Sequence, residues 1–252
     1  MRKTSFSMST IFCILLHVFH TSLQAKEITI GLHLSPPWAY FNDNHEVIGI
    51  QPDLLKAALA TSVYKPSFRI YGYSRMMSQI KHGKIDIASP VPEKLSKLSY
   101  SLPYIPYQVV AISLKENNFD IVDISQLEGK RIVAFQRAKK ILGPKFNAVA
   151  LTIGKNYSEF VGRERQVKML FKKRTEIIVG EGRILKFLID KFYDRALITV
   201  HTIFPAEHLS AISRDDKLLE TLNNGMKKII ENGRYKKIFS QERIYYTVLE
   251  NQ

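Results

Sequence analysis

The sequence predicts an α/β fold with largely parallel sheets. Short apolar runs alternate with amphipathic helical stretches along most of the chain, the pattern of strands joined by crossover helices. The alternation occurs as two sets, separated by a polar stretch from Lys115 to Asp123. A weak echo links the sets: a helix, a turn and Lys84-Ile85-Asp86-Ile87 in the first resemble a helix, a turn and Arg174-Thr175-Glu176-Ile177 in the second.

The first strand is expected at Glu27 to Leu32, where Ile28, Ile30 and Leu32 alternate with other residues. His33-Leu34-Ser35-Pro36-Pro37-Trp38 ends it, because two prolines remove ladder donors. A helix spans Asp53 to Ala60, with Pro52 and Asp53 at its start, where both are favoured. Phe68 to Tyr71 reads as a strand, Ser74 to Lys81 as a helix stopping near Gly83, Ile85 to Ala88 as a short buried strand, and Val109 to Leu114 as another strand. In the second set, Arg131 to Phe135 is a strand. A helix is expected within Ala138 to Phe146, broken by Gly143-Pro144. Tyr157 to Phe171 reads as one helix, Glu176 to Val179 as a strand, Gly182 to Phe192 as a helix and Ala196 to Val200 as a strand. Leu209 to Ser213 returns to the first set. Lys217 to Glu231 is a helix with Leu218, Leu222, Met226 and Ile229 on one face, ended by Gly233 and followed by a short final helix.

The first 25 residues read as a secretory signal peptide. Arg2 and Lys3 form a positive start, Ile11 to Phe19 a short apolar core, and Leu23-Gln24-Ala25 a cleavage site. The apolar run is far shorter than the roughly 20 residues that span a bilayer. Cys13 lies inside it, so the mature chain is expected to use neither disulfide nor thiol chemistry. Lysine and arginine exceed the acidic residues by 14. In an exported protein that excess points to anionic surfaces or ligands, or to a solvated basic surface, rather than to nucleic acid.

Enzyme motifs are scarce. Gly72-Tyr73-Ser74-Arg75-Met76 lacks the second glycine of a nucleophile elbow. Gly180-Glu181-Gly182 lies between a strand and a helix, but Leu185 replaces the third glycine of a dinucleotide loop, so no cofactor is expected. His33, His45, His82, His201 and His208 lack metal-ligand spacing, and no metal site is expected. What remains is aromatic and charged residues at strand ends, where open α/β sheets bind ligands. Trp38 and Tyr40 follow the first strand, Tyr73 and Arg75 another, Lys94 the strand around Ile87, and Glu181 follows Val179. Such residues supply stacking area and fixed partners for a small polar ligand. Each has a plainer role open to it: packing for Trp38 and Tyr73, a surface charge or ion pair for Arg75, first-turn stabilisation for Glu181.

The segments Ile30-Gly31 through Pro36-Pro37-Trp38, Gly49 to Leu54, Gly83 to Ile87, Pro92-Glu93-Lys94 through Tyr100-Ser101-Leu102-Pro103-Tyr104, Leu127 to Ile132 and Asn232 to Phe239 stand in a telling order and spacing. In them the chain resembles the bacterial extracellular solute-binding proteins of family 3, which serve amino-acid uptake, and in particular a divergent branch. The resemblance implies a two-lobed type II periplasmic binding fold with two hinge crossings. One lobe would comprise residues 26–116 and 203–252, the other residues 117–202. It also implies a cleft that closes over a solute, and delivery to a membrane permease or a sensor. The family's carboxylate-binding arginine falls on Lys94, which keeps the charge but loses the two-pronged fit. The segment from Asp86 to Glu93 is shorter than usual and lacks a Gly-x-Thr loop. Gln136-Arg137-Ala138-Lys139 replaces a Gly-Ser/Thr helix start. The aspartate that holds an amino group falls on Glu181.

The expectation is therefore a monomeric periplasmic protein, not an enzyme, binding a small polar solute that is anionic or amino-acid-like. Trp38, Tyr40, Tyr73, Arg75, Lys94, Arg137 and Glu181 would form the site. Two alternatives stay open. One is a dehydratase on the same scaffold, with Glu181 as its acid. The other is a lobe pair that binds a protein through the basic stretch of Arg163, Arg165, Lys168, Lys172, Lys173 and Arg174.

Overall fold

The computed structural model describes residues 25–92 and 97–240. The expected signal peptide, through residue 24, and Lys94 lie outside the described residues. The chain opens with β1 (Lys26–His33), a small hairpin of β2 (Tyr40–Phe41) and β3 (Val47–Ile48), then α1 (Ile50–Leu59), β4 (Tyr64–Tyr71), α2 (Tyr73–Lys81), β5 (Ile87–Val91) and β6 (Ser99–Tyr100). A long β7 (Ile105–Leu114) leads to β8 (Ile132–Phe135), α3 (Ala138–Ile141), α4 (Gly143–Ile153), β9 (Tyr157–Phe160), α5 (Arg163–Phe171), β10 (Ile177–Glu181), α6 (Gly182–Phe192) and β11 (Ile198–His201). β12 (Ala206–Ser213), α7 (Asp216–Glu231) and α8 (Arg234–Ser240) follow.

Strand pairing runs along one path, β4-β1-β5-β12-β7-β10-β8-β9. Parallel pairing of β1 with β4 and β5 builds the first group, and parallel pairing of β8 with β9 and β10 builds the second. β7 and β12 serve both. Ile105–Gln108 pairs antiparallel with Ala206–Leu209, between the groups. Beyond that ribbon, β7 joins β10 and β11, whereas β12 joins β5 and β6. The two crossings are thus the two halves of one short antiparallel ribbon.

The Tyr100-Ser101-Leu102-Pro103-Tyr104 element fastens the return strand. The Ser101 and Tyr104 amides donate to the Ala211 and Leu209 carbonyls at 2.8 and 3.0 Å, and the Ala211 amide donates to Ser101 Oγ at 2.9 Å. The Tyr104 hydroxyl pairs with Ser89 Oγ at 2.6 Å inside the core. These residues satisfy buried polar groups where the chain crosses between sheets.

A large core wraps α1 and α7 around the first sheet, with Leu54, Leu55, Leu218, Leu222 and Met226 all buried, and continues to Val167 and Leu185 beside the second. Burying each such side chain contributes about 1.5–3 kcal/mol. A second cluster around Phe146, Val149, Ile177 and Val179 packs α4 on the other face of the second sheet.

Three expectations change. Tyr157 to Phe171 is not one helix: Gly162 is extended, Tyr157–Phe160 pairs with β8, and only Arg163 onward is helical. Tyr and Phe favour a pleated edge, which outweighs the helix pattern that follows. The helix expected up to Phe146 breaks at Gly143, but Pro144 then sits in the first turn of a new helix that runs to Ile153. β4 starts at Tyr64 and includes Pro66, tolerated because β4 is an edge strand. Among the described residues, no helix is long and apolar enough to cross a membrane.

Candidate functional site

Contacts among Trp38, Glu181, Arg163, Phe135 and His33 bring the C-terminal ends of β1, β8 and β10 to a common region. β1 ends there with His33, β8 with Phe135 and β10 with Glu181. The loop after β1 is held tightly. The Trp38 amide donates to the Ser35 carbonyl at 2.7 Å, and the Pro37 and Trp38 carbonyls accept the first amides of α1, from Ile50 and Gln51. Gly49 permits this close approach: its φ is +126°, and a Cβ there would lie 2.6 Å from the Trp38 carbonyl oxygen.

Trp38, Tyr40 and Glu181 are brought together and sealed from solvent, at 2%, 3% and 1% exposure. Trp38 Nε1 donates to Glu181 Oε2 at 3.2 Å, joining the two strand groups through residues far apart in sequence. The same oxygen accepts the Ile184 amide at 2.9 Å, so Glu181 is also the N-cap of α6. Burial pushes the Glu181 carboxyl above the usual carboxylate range, against the opposing pull of those hydrogen bonds and of Arg183. Around this bond the groups interlock. The Arg183 guanidinium lies 5.6 Å from the Trp38 ring and 4.8 Å from the Phe239 ring, and these two rings meet edge to face at 6.0 Å. Tyr40 packs against Phe187 of α6.

The remaining expected site residues lie elsewhere. Tyr73 opens α2 and is 36% exposed; burial and nearby Tyr100 raise its phenol pKa. Arg75 is exposed, with its guanidinium 5.8 Å from the Tyr71 ring. It borders an open groove of about 590 Å³ along β4, with Arg69, His45 and Glu46, apart from the Trp38–Glu181 contact. Arg137 is exposed, in a left-handed conformation before α3. Its amide donates to Glu159 Oε2 at 2.6 Å and the Lys139 amide to Glu159 Oε1 at 3.0 Å. A carboxylate of the chain itself thus occupies the backbone donors of this turn. Among the described residues, no three His, Cys, Asp or Glu side chains gather to hold a metal ion.

Sequence reasoning placed Arg163 in a basic stretch suited to a protein partner and not among the solute-site residues. It follows Gly162 at the start of α5, half-buried, with its guanidinium 5.1 Å from the Phe135 ring. His33 from the first group, Tyr107 from the ribbon and Glu181 from the second group are near enough to act on it, or be acted on, electrostatically. Burial, then the Arg163 charge, lowers the His33 pKa. Burial, then the Glu181 charge, raises Tyr107 to about 12. A strand ending at Phe160 followed by Gly162 is the signal that places Arg163 at a strand end rather than within a basic helix face.

Residues 28–241 match the bacterial extracellular solute-binding proteins, family 3, and the chain belongs to that family. It is similar to ABC transporter arginine-binding protein 1 of Escherichia coli (strain K12), with 24% identity over 86% of this chain and 90% of that protein. Among solved structures, it is similar to an ABC uptake transporter substrate-binding protein of Streptococcus pneumoniae with bound histidine. That match has 16% identity, a TM-score of 0.70, and covers 87% of this chain and 93% of the other. An ancestral arginine-binding protein bound to arginine matches at 20% identity and a TM-score of 0.68, over 86% and 98% of the two chains. The two-lobed fold expected from the sequence is that of these proteins.

Proposed function

We propose that the chain captures a small polar solute, anionic or amino-acid-like, between two lobes in the periplasm and hands it to an uptake permease. A sensor is the alternative recipient. The lobes would be residues 26–116 with 203–252, and residues 117–202, after removal of a signal peptide of 25 residues. The observation that carries the reading is the meeting of polar and aromatic side chains from both strand groups at strand ends: His33 from one, Phe135, Glu181 and Arg163 from the other. The Trp38–Glu181 bond supports closure of the lobes on that region, because it ties them on its inner side. Tyr73, Arg75 and Arg137 are proposed at the rim, and Lys94 as a further positive charge for the solute.

The dehydratase alternative would need the Glu181 proton to reach a substrate. Its carboxylate is instead buried and engaged as a helix cap and as the acceptor for Trp38, which favours binding without turnover. A thermal-shift screen of the monomeric mature protein against amino acids, small organic acids and oligopeptides tests the reading. Solutes that raise Tm are expected, since ligand bound to the native state stabilises it by mass action. A folded protein indifferent to every compound would refute it.

A further inference from the structure

A guanidinium cannot escape burial by losing its proton at any physiological pH, so a half-buried arginine requires an anion or hydrogen-bond acceptors. Arg163 lacks them. Its Nε is buried and has no hydrogen-bond partner among the described residues. Phe135 offers the face of a ring, and Glu181, the carboxylate whose charge acts on Arg163, already accepts from Trp38 Nε1 and the Ile184 amide. The other means of holding an anion on this side of the cleft is also taken: the amides of Arg137 and Lys139 are filled by Glu159, which also accepts from the Tyr157 hydroxyl at 2.8 Å.

We infer that Arg163 is the group that recognises a carboxylate of the solute, from the β8–β10 side of the cleft, and that the site has no fixed partner for an ammonium group. The inference rests on the solute-binding reading above. Both halves have the same origin. The carboxylate that would hold an ammonium group is turned inward to Trp38, and the cation that would hold a carboxylate is left unpaired. The solutes favoured are simple carboxylic acids, with an amino group tolerated rather than required. Phe135 lies against one face of the guanidinium and Nε is buried, so a solute carboxylate would be met through the terminal nitrogens.

The test uses the mature chain and three matched probe series: straight-chain mono- and dicarboxylates of two to six carbons, their 2-amino counterparts, and the corresponding diamines. Thermal shift and calorimetry are run on wild type, Arg163→Gln, Arg163→Lys and a control, Lys172→Gln, which alters an exposed charge on the far end of the same helix. Wild type is expected to bind members of the first series at least as tightly as the second, and none of the third. Kd should rise about 10- to 100-fold in Arg163→Gln, the loss expected for a charge-assisted hydrogen bond, and by less in Arg163→Lys. The control should match wild type. Without solute, Arg163→Gln should melt at or above the wild-type temperature, because an unpaired buried charge is removed. A lower melting temperature in both variants would make Arg163 a structural partner of Glu181 and overturn the inference. Unchanged affinity in Arg163→Gln, or binding confined to amino acids or diamines, would overturn it while leaving the binding protein standing. If no probe, nor arginine, glutamine or histidine, shifts wild type, the binding reading falls and takes the inference with it.

Discussion

Glu181 illustrates how one methylene redirects a residue. Its carboxylate reaches both the Ile184 amide and the Trp38 indole, so a group that the family resemblance assigns to a ligand here joins the two strand groups. The electrostatic consequence is measurable. A carboxyl whose folded pKa lies above its ordinary value of 4.5 binds its proton more tightly in the native state. It therefore stabilises the fold fully below pH 4.5, and that contribution is lost as pH rises through the folded value. Glu181→Gln keeps an oxygen that can accept from both donors and cannot titrate. The wild type is expected to lose stability relative to this variant as pH rises above 4.5, with the two converging toward pH 4. Parallel melting curves across pH 4–8 would show that Glu181 is not buried as a carboxyl. The Trp38–Glu181 partnership was not legible in the sequence. Both residues are marked there as strand-end candidates, but a hydrogen bond between positions 143 apart is made by the fold and not by any local pattern.

At the level of elements, legibility followed locality. α6 and α7 lie within a residue of their expected spans, because apolar residues on one stripe act within a few turns, and α7 adds a glycine stop at Gly233. β9 was hidden, since Tyr157–Phe160 is too short to declare its period before the helix pattern of α5 begins. That single boundary also concealed Arg163, which belongs to a strand-end loop only once Gly162 is read as a break. The packing of α7 on α1 yields a further expectation. Gly225 lies so close to α1 that a Cβ would sit 1.8 Å from the Ala58 carbonyl oxygen. Alanine would gain about 1 kcal/mol in helix propensity, but forcing the helices apart would cost about 1–3 kcal/mol or more. Gly225→Ala is expected to be net destabilising in urea unfolding, and a midpoint at or above wild type would contradict the close contact.

At the scale of the molecule, the excess of basic residues and the ribbon of β7 and β12 act together. The net charge of +14 in the full sequence raises the local concentration of anionic solutes at any cleft with exposed arginines. Among the described residues, strand pairing between the two groups is confined to Ile105–Gln108 and Ala206–Leu209, so the proposed binding would have the groups move as units about this ribbon. Such a movement would break the Trp38–Glu181 bond and part Arg183 from the Trp38 and Phe239 rings. A solute that binds only the closed arrangement shifts the population toward it by its differential affinity. Acrylamide quenching of indole emission is expected to decrease when a solute from the thermal-shift screen is added. Equal quenching with and without it would mean that binding and closure are uncoupled.

The chain contains a single tryptophan, and it stands where the two strand groups meet. Every photon of indole fluorescence therefore originates at that seam, with a carboxylate on the ring nitrogen and a guanidinium over the ring. Parting the groups would hydrate the ring and remove both charges at once. The protein thus contains its own optical gauge of that seam, readable without a label at the residue whose bond joins the two groups.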